Sequence, residues 1–142
     1  MLALLSIGWT WSVSPPQKAK ERFDPDGSFW FHGTPPKEFQ NVGGINLNSK
    51  RVRRLPAAGV ELTNGKRFAF KSLTVKRESL VFTTVTAGGT SYSFSGRFLK
   101  GGVYAAGDLD PEAPVLEGTL TKWNGSRKAA EASVKFTYFG GT

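Results

Sequence analysis

Few side chains in this sequence could carry out acid–base or metal chemistry. The chain of 142 residues contains no cysteine and a single histidine, His32. Thiolate chemistry is therefore excluded, as is a metal site built from sulfur or from several imidazoles. His32 lies between Phe31 and Gly33, and the chain has no G-x-S-x-G turn that would mark a nucleophile. We therefore expect no catalytic residue and no enzymatic activity.

Carboxylate oxygens are the remaining metal donors. Two pairs of aspartates, Asp24 with Asp26 and Asp108 with Asp110, have the spacing that begins a calcium-binding loop. Neither pair is followed by the rest of the ligand series, and proline and glycine next to aspartate are typical of tight turns. The two segments are predicted to be turns, and we expect neither a bound metal nor a cofactor.

Positive charge is the strongest chemical signal in the composition. Nineteen lysines and arginines against eleven acidic residues give a net charge of +8, which favours an anionic partner such as a nucleic acid, an anionic lipid surface or an acidic polymer. Four cations cluster in a segment, 33–56, that we predict to be irregular: Lys50, Arg51, Arg53 and Arg54. Such side chains can bind phosphate or carboxylate groups, so we predict partner binding here, with a solvated loop as the alternative.

Two short segments resemble motifs of nucleic-acid-binding domains. Lys66–Leu73 resembles the RNP1 strand of RNA-recognition motifs over about eight residues, although Arg67 replaces its glycine and Lys71 its aliphatic residue. Gly118–Asn124 resembles the opening strand of cold-shock domains. Alternation places the aromatic residues of these segments on one face and the charges on the other, as in a core strand. We therefore do not expect a nucleic acid partner.

The N-terminal segment is the most apolar part of the chain. Its side chains alternate strictly between large apolar and small or polar from residue 7 to residue 14, which predicts a β-strand with one buried face. That face would carry Ile7, Trp9, Trp11 and Val13. We predict that this strand pairs with a sheet edge of the same chain or of a partner. The alternatives are an export signal and an anchor at a membrane surface.

From residue 59 onward, alternating apolar residues and glycine turns predict antiparallel strands. Asn64-Gly65 and Asn124-Gly125 each mark a hairpin. Three-residue loops, Asn64–Lys66 and Asn124–Ser126, would keep the apolar residues on one face. The first loop would pair Leu62 with Phe68, and the second would place Leu120 on the face of the apolar residues that follow.

The elements that must position any site are therefore β-strands. We predict an all-β fold, an antiparallel barrel or sandwich of about seven to nine strands, because no βαβ pattern is present. Residues 1–23 would form the apolar N-terminal strand or extension with its linker, and residues 24–142 a single domain. The predicted core consists of Val60, Leu62, Phe68, Phe70, Tyr92, Phe94, Phe98, Leu116, Leu120, Val134 and Phe136.

Three functions are compatible with this sequence. The first is a non-catalytic accessory or docking subunit of a larger assembly, which binds a protein partner or an anionic surface and can associate peripherally with a membrane. The second is an exported, lipocalin-like barrel that binds a small apolar ligand. The third, a barrel enzyme such as an isomerase, has no candidate catalytic residue. The compartment is not determined, although the N-terminal segment slightly favours export or a membrane-peripheral location.

Overall fold

The computed structural model describes residues 22–50, 53, 56–107 and 109–139. These residues form nine β-strands and two short 3-10 helices, Lys37–Phe39 and Tyr104–Ala106. The strands are β1 (Gly27–Phe31), β2 (Val42–Leu47), β3 (Gly59–Leu62), β4 (Arg67–Phe68), β5 (Phe70–Val75), β6 (Ser79–Thr84), β7 (Thr90–Phe98), β8 (Pro114–Asn124) and β9 (Arg127–Phe139). Within the described part of the chain, no helix is both long and apolar enough to cross a membrane.

The strands form one antiparallel sheet that curls into a nearly closed barrel. Strands that follow one another in the chain are neighbours in the sheet, except β4 and β5, and the first strand, β1, pairs with the last, β9. Strands β4 and β5 are separated by Ala69 alone; β4 pairs with β3, and β5 pairs with β6. The sheet thus nearly closes on itself at Ala69. This confirms the all-β fold and shows it to be a barrel.

The inward faces of the strands form a single aromatic-rich core. All residues of the predicted core are buried except Leu62 and Phe70, which are partly buried and pack against it. The 3-10 helices add Phe39 and Tyr104, both fully buried. Each short helix therefore contributes one large aromatic side chain to the core, beyond the residues that strand alternation identified.

The two predicted hairpins exist, but their registers differ from the expected ones. Val60, not Leu62, is opposite Phe68, so the first loop is Thr63–Gly65. In the second hairpin Asn124 pairs with Arg127, which leaves a two-residue turn. A bulge at the start of β9 then adds one residue and restores the face pairing. The predicted pairings were wrong, yet the predicted faces are confirmed, because a shift of two residues preserves the side-chain period.

The segment 33–56 was predicted to be irregular, and this was wrong for β2. Gly43 and Gly44 both lie within this strand, although adjacent glycines are typical of turns. A Cβ atom at Gly44 would overlap the carbonyl oxygen of Phe29 on the neighbouring strand β1. Glycine is therefore needed at this position because the two backbones approach each other closely.

Candidate binding site: an aromatic groove on the outer wall

The barrel interior is packed with aromatic rings. Phe94 stacks on Phe82 with ring centres 5.5 Å apart and meets Phe136 edge-on at 5.9 Å. Phe29 likewise packs edge-on against Tyr138 at 5.5 Å. These are the distances of rings in direct contact in protein cores. The described interior is therefore a filled core, and this packing gives no support to the lipocalin-like alternative.

The residues considered for catalysis and metal binding do not come together. His32 is exposed just beyond the end of β1, where its backbone N–H donates to the carbonyl of Lys135. No group of three or more His, Cys, Asp or Glu side chains that could hold a metal occurs among the described residues. Asp108 lies outside those residues, so its pairing with Asp110 is not described.

The Asp24–Asp26 pair has a structural role that sequence analysis did not identify. Asp26 is only 4 % exposed, and its carboxylate accepts hydrogen bonds from the backbone N–H groups of Ser49 and Lys50 and from the Ser49 hydroxyl, at 2.9–3.3 Å. Asp24 forms an ion pair with Lys50. Burial raises the pKa of Asp24, but the hydrogen bonds from Lys50 and from the Asp26 N–H, with the charges of Lys50 and Arg22, outweigh it and lower the pKa. The two carboxylates thus anchor the loop after β2.

Of the predicted partner-binding residues, the structure describes only Lys50 and Arg53. Lys50 is held by Asp24, and Arg53 is exposed. Arg51 and Arg54 lie outside the described residues, as does the N-terminal strand with Ile7, Trp9, Trp11 and Val13. Partner binding by these residues stays a prediction.

Positive charge on the barrel is dispersed. Lys66 and Lys128 lie at the end of the barrel that carries the β3–β4 and β8–β9 turns, whereas Lys76 and Lys100 lie at the opposite end. Lys135 projects from the wall, in the middle of β9. Charge alone therefore does not single out one face of the described surface.

A concave feature with exposed aromatic side chains lies on the outer wall, over β1, β2, β3 and β9. We call it the aromatic groove, and it has a volume of about 540 Å³. That volume is within the range of small-ligand sites, about 300–1,000 Å³. Its principal residues are Ser28, Trp30, Gly44, Asn46, Glu61 and Phe139.

Two stacked aromatic rings form one wall of the aromatic groove. The ring centres of Trp30 and Phe139 are 4.0 Å apart, and the ring planes differ by 13°. Both side chains point outward, and Trp30 is 49 % exposed and Phe139 40 % exposed. Gly44 is opposite Trp30 on β2, and the indole lies against this glycine, because a Cβ atom there would be only 3.1 Å from Cδ1 of Trp30.

A row of hydrogen-bonded polar side chains forms the other wall. The Ser28 hydroxyl donates to Oδ1 of Asn46 at 2.8 Å. Nδ2 of Asn46 donates to Oε2 of Glu61 at 2.9 Å. Asn46 is 5 % exposed, whereas Glu61 is exposed. The row therefore crosses β1, β2 and β3 and presents a fixed amide and a carboxylate beside the aromatic pair.

A second depression, of about 520 Å³, lies over β7, β8 and β9. Gly96 is opposite Gly118 at its floor, and Arg97 forms an ion pair with Glu117 at its rim, with 2.7 Å between Nε and Oε1. Exposed large apolar side chains, which the aromatic groove has, are not among its lining residues. We therefore regard the aromatic groove as the candidate site.

Sequence analysis missed the aromatic groove, although one signal was present. Phe29 and Phe31 face the core, so the alternation of β1 places Trp30 outside. The polar row carried no such signal, because its three residues come from different strands. No protein-family model matches the chain, and no curated protein or solved structure matches it.

Proposed function

We propose that this protein is a non-catalytic binding domain, serving as an accessory or docking part of a larger assembly. It binds its partner on the outer wall of the barrel, through the aromatic groove. The stacked and exposed pair of Trp30 and Phe139, beside a hydrogen-bonded polar row, is the observation that carries this proposal.

The exposure of the two rings supports a binding role. Large aromatic side chains on the surface keep apolar area in contact with water. A binding partner that covers this area would gain roughly 25 cal/mol of free energy per Å². Tryptophan is also among the residues that contribute most to binding at interfaces. Trp30 and Phe139 lie on paired strands, so the strands hold the rings in place before a partner arrives and the entropic cost of binding is reduced.

The chemistry of the aromatic groove supports binding over catalysis. Among its described lining residues, Glu61 is the ionisable side chain, and its hydrogen-bond partner, Asn46, is an amide with no acid–base role near neutral pH. A serine nucleophile needs a general base at its hydroxyl, whereas the Ser28 hydroxyl donates to the amide oxygen of Asn46. The dispersed positive charge would add a long-range attraction to an anionic surface without defining the contact.

The proposal can be tested with a panel of probes of different chemical classes. The full chain is applied to neutral polysaccharides, an anionic polysaccharide, anionic vesicles and an apolar fluorescent probe. We expect the unmodified protein to bind at least one of the polysaccharides or the vesicles. We expect the double variant Trp30→Ala/Phe139→Ala to lose that binding. Val81→Ala removes a side chain that is 44 % exposed on β6 and serves as the matched control.

Two results would overturn the proposed function. One is that the double variant binds every probe as well as the unmodified protein does. The other is that only the apolar probe binds and that substitutions of inward-facing residues abolish its binding. Circular dichroism of each variant checks that the barrel remains folded.

A further inference from the structure

We infer that the aromatic groove binds a neutral sugar ring of an oligosaccharide or polysaccharide. This inference rests on the proposed function and adds the class of ligand to it. The two walls of the groove match the two kinds of surface on a pyranose, which has a face of C–H groups and a rim of hydroxyl groups.

The aromatic wall is a platform and not a cage. Because the planes of Trp30 and Phe139 differ by only 13°, stacking covers one face of each ring, and Trp30 is still 49 % exposed. A cation is best bound by rings that surround it at steep angles. A flat, single aromatic face instead suits the C–H face of a sugar, whose partial positive charge meets the negative π-surface.

The polar wall matches hydroxyl groups, which both donate and accept hydrogen bonds. The amide of Asn46 is 5 % exposed and is oriented by its bonds to Ser28 and Glu61, so it holds the exposed Glu61 carboxylate in place. The Glu61 carboxylate accepts from Asn46 through one oxygen, and its other oxygen can accept from a ligand. The polar wall therefore offers a carboxylate oxygen, at a fixed position, as an acceptor for a hydroxyl group of the sugar ring.

The charge of the aromatic groove disfavours an anionic ligand. Glu61 places a negative charge in the groove. Arg67 is the cation opposite Glu61 on the paired strand β4. Nη1 of Arg67 donates to the carbonyl of Ala58 at 2.7 Å. A phosphate or sulfate group would therefore meet a carboxylate before a guanidinium, and a neutral ligand is favoured over an anionic one.

The distribution of apolar surface disfavours a protein as the occupant. Among the residues that the structure describes, the exposed large apolar side chains near the aromatic groove are its two rings, and the others, Val81, Val85 and Leu99, lie on or beside β6 and β7. Protein interfaces bury a wider apolar centre with aromatic and aliphatic residues together. Here the rings adjoin glycine and hydrogen-bonded polar groups, an arrangement that suits a small polar ring.

The inference is tested by calorimetric titration of the full chain with soluble neutral oligosaccharides of β-linked glucose, xylose and N-acetylglucosamine. We expect at least one of them to bind. Trp30→Ala should weaken the affinity about tenfold or more, because the stacked aromatic face is lost, and Trp30→Phe should restore part of it. Glu61→Gln keeps an acceptor for Asn46 and should weaken the affinity about threefold to tenfold. Val81→Ala should leave the affinity unchanged.

The same titrations with a sulfated polysaccharide and with tetramethylammonium separate the alternatives. If no neutral sugar binds, or if Trp30→Ala binds sugars as well as the unmodified protein, the inference is overturned. If sugars fail but another probe binds in a manner that depends on Trp30, the sugar inference fails while the proposed function stands. Melting temperatures of all variants show whether a loss of affinity reflects unfolding, and Trp30→Phe provides a readout if Trp30→Ala does not fold.

Discussion

Replacing Phe94 with alanine should destabilise the barrel by about 4–5 kcal/mol, near the upper end of the range for phenylalanine in a core. The ring is 2 % exposed and packs against Phe82 and Phe136. It also lies against the backbone of Gly96 and Gly118, which are opposite each other on β7 and β8. These glycines have no side chain that could move into the space, so the cavity would persist.

Equilibrium denaturation followed by far-UV circular dichroism measures this loss. Phe94→Leu keeps most of the volume and should lose less, about 1–2 kcal/mol. Val81→Ala, on the outer face of the neighbouring strand, should cost less than about 1 kcal/mol. A loss below about 2 kcal/mol for Phe94→Ala, or one similar to that of the outer-face control, would refute the packing described for the interior.

Three further predictions concern other parts of the barrel. Burial raises the pKa of Tyr104 to about 12, so the unfolded chain ionises first and stability should fall as the pH rises from about 10 to 12. The free energy of unfolding should fall by about 1–3 kcal/mol over this pH range, a value that allows for solvent screening at the end of the barrel. Chemical denaturation at several pH values measures this fall, and Tyr104→Phe should reduce it. Gly44→Ala should lower the melting temperature, because the new Cβ atom would overlap the Phe29 carbonyl. Gly43→Ala should have little effect, because the nearest atom to a Cβ there is 3.4 Å away. Equal changes in melting temperature for the two variants would contradict this. Asp26→Ala should cost about 2–4 kcal/mol in chemical denaturation, because two backbone N–H groups lose their acceptor, and a result within error of zero would contradict the anchoring role.

Alternation along each strand made much of the fold predictable. Tyr92, Phe94 and Phe98 share one face of β7 in the sequence and are buried in the structure. Such a pattern is local, because the side chains of a strand alternate between its faces whatever the strand pairs with. The same alternation in β1 could have identified Trp30 as outward-facing.

The register of the strands was not predictable from alternation. A shift of two residues keeps every side chain on its face, so the face pattern cannot distinguish Val60 from Leu62 as the partner of Phe68. A three-residue hairpin loop needs a left-handed residue at its last position; this residue is Gly65, with a φ of +86°, in the observed pairing, whereas it would be Lys66 in the predicted one, and glycine adopts this conformation without strain. Backbone geometry at the turn, and not the apolar pattern, therefore selected the register.

The sequence by itself determined that the chain forms antiparallel strands with an aromatic inner face, because that information lies in residues two positions apart. Only the tertiary structure decided how the sheet closes, since β1 and β9 meet across more than a hundred residues. The tertiary structure also determined which side chains come together in the aromatic groove. Trp30 meets Phe139, and Asn46 meets Glu61, because neighbouring strands hold them side by side. Contacts of this kind depend on register and curvature, which no local pattern of residues specifies.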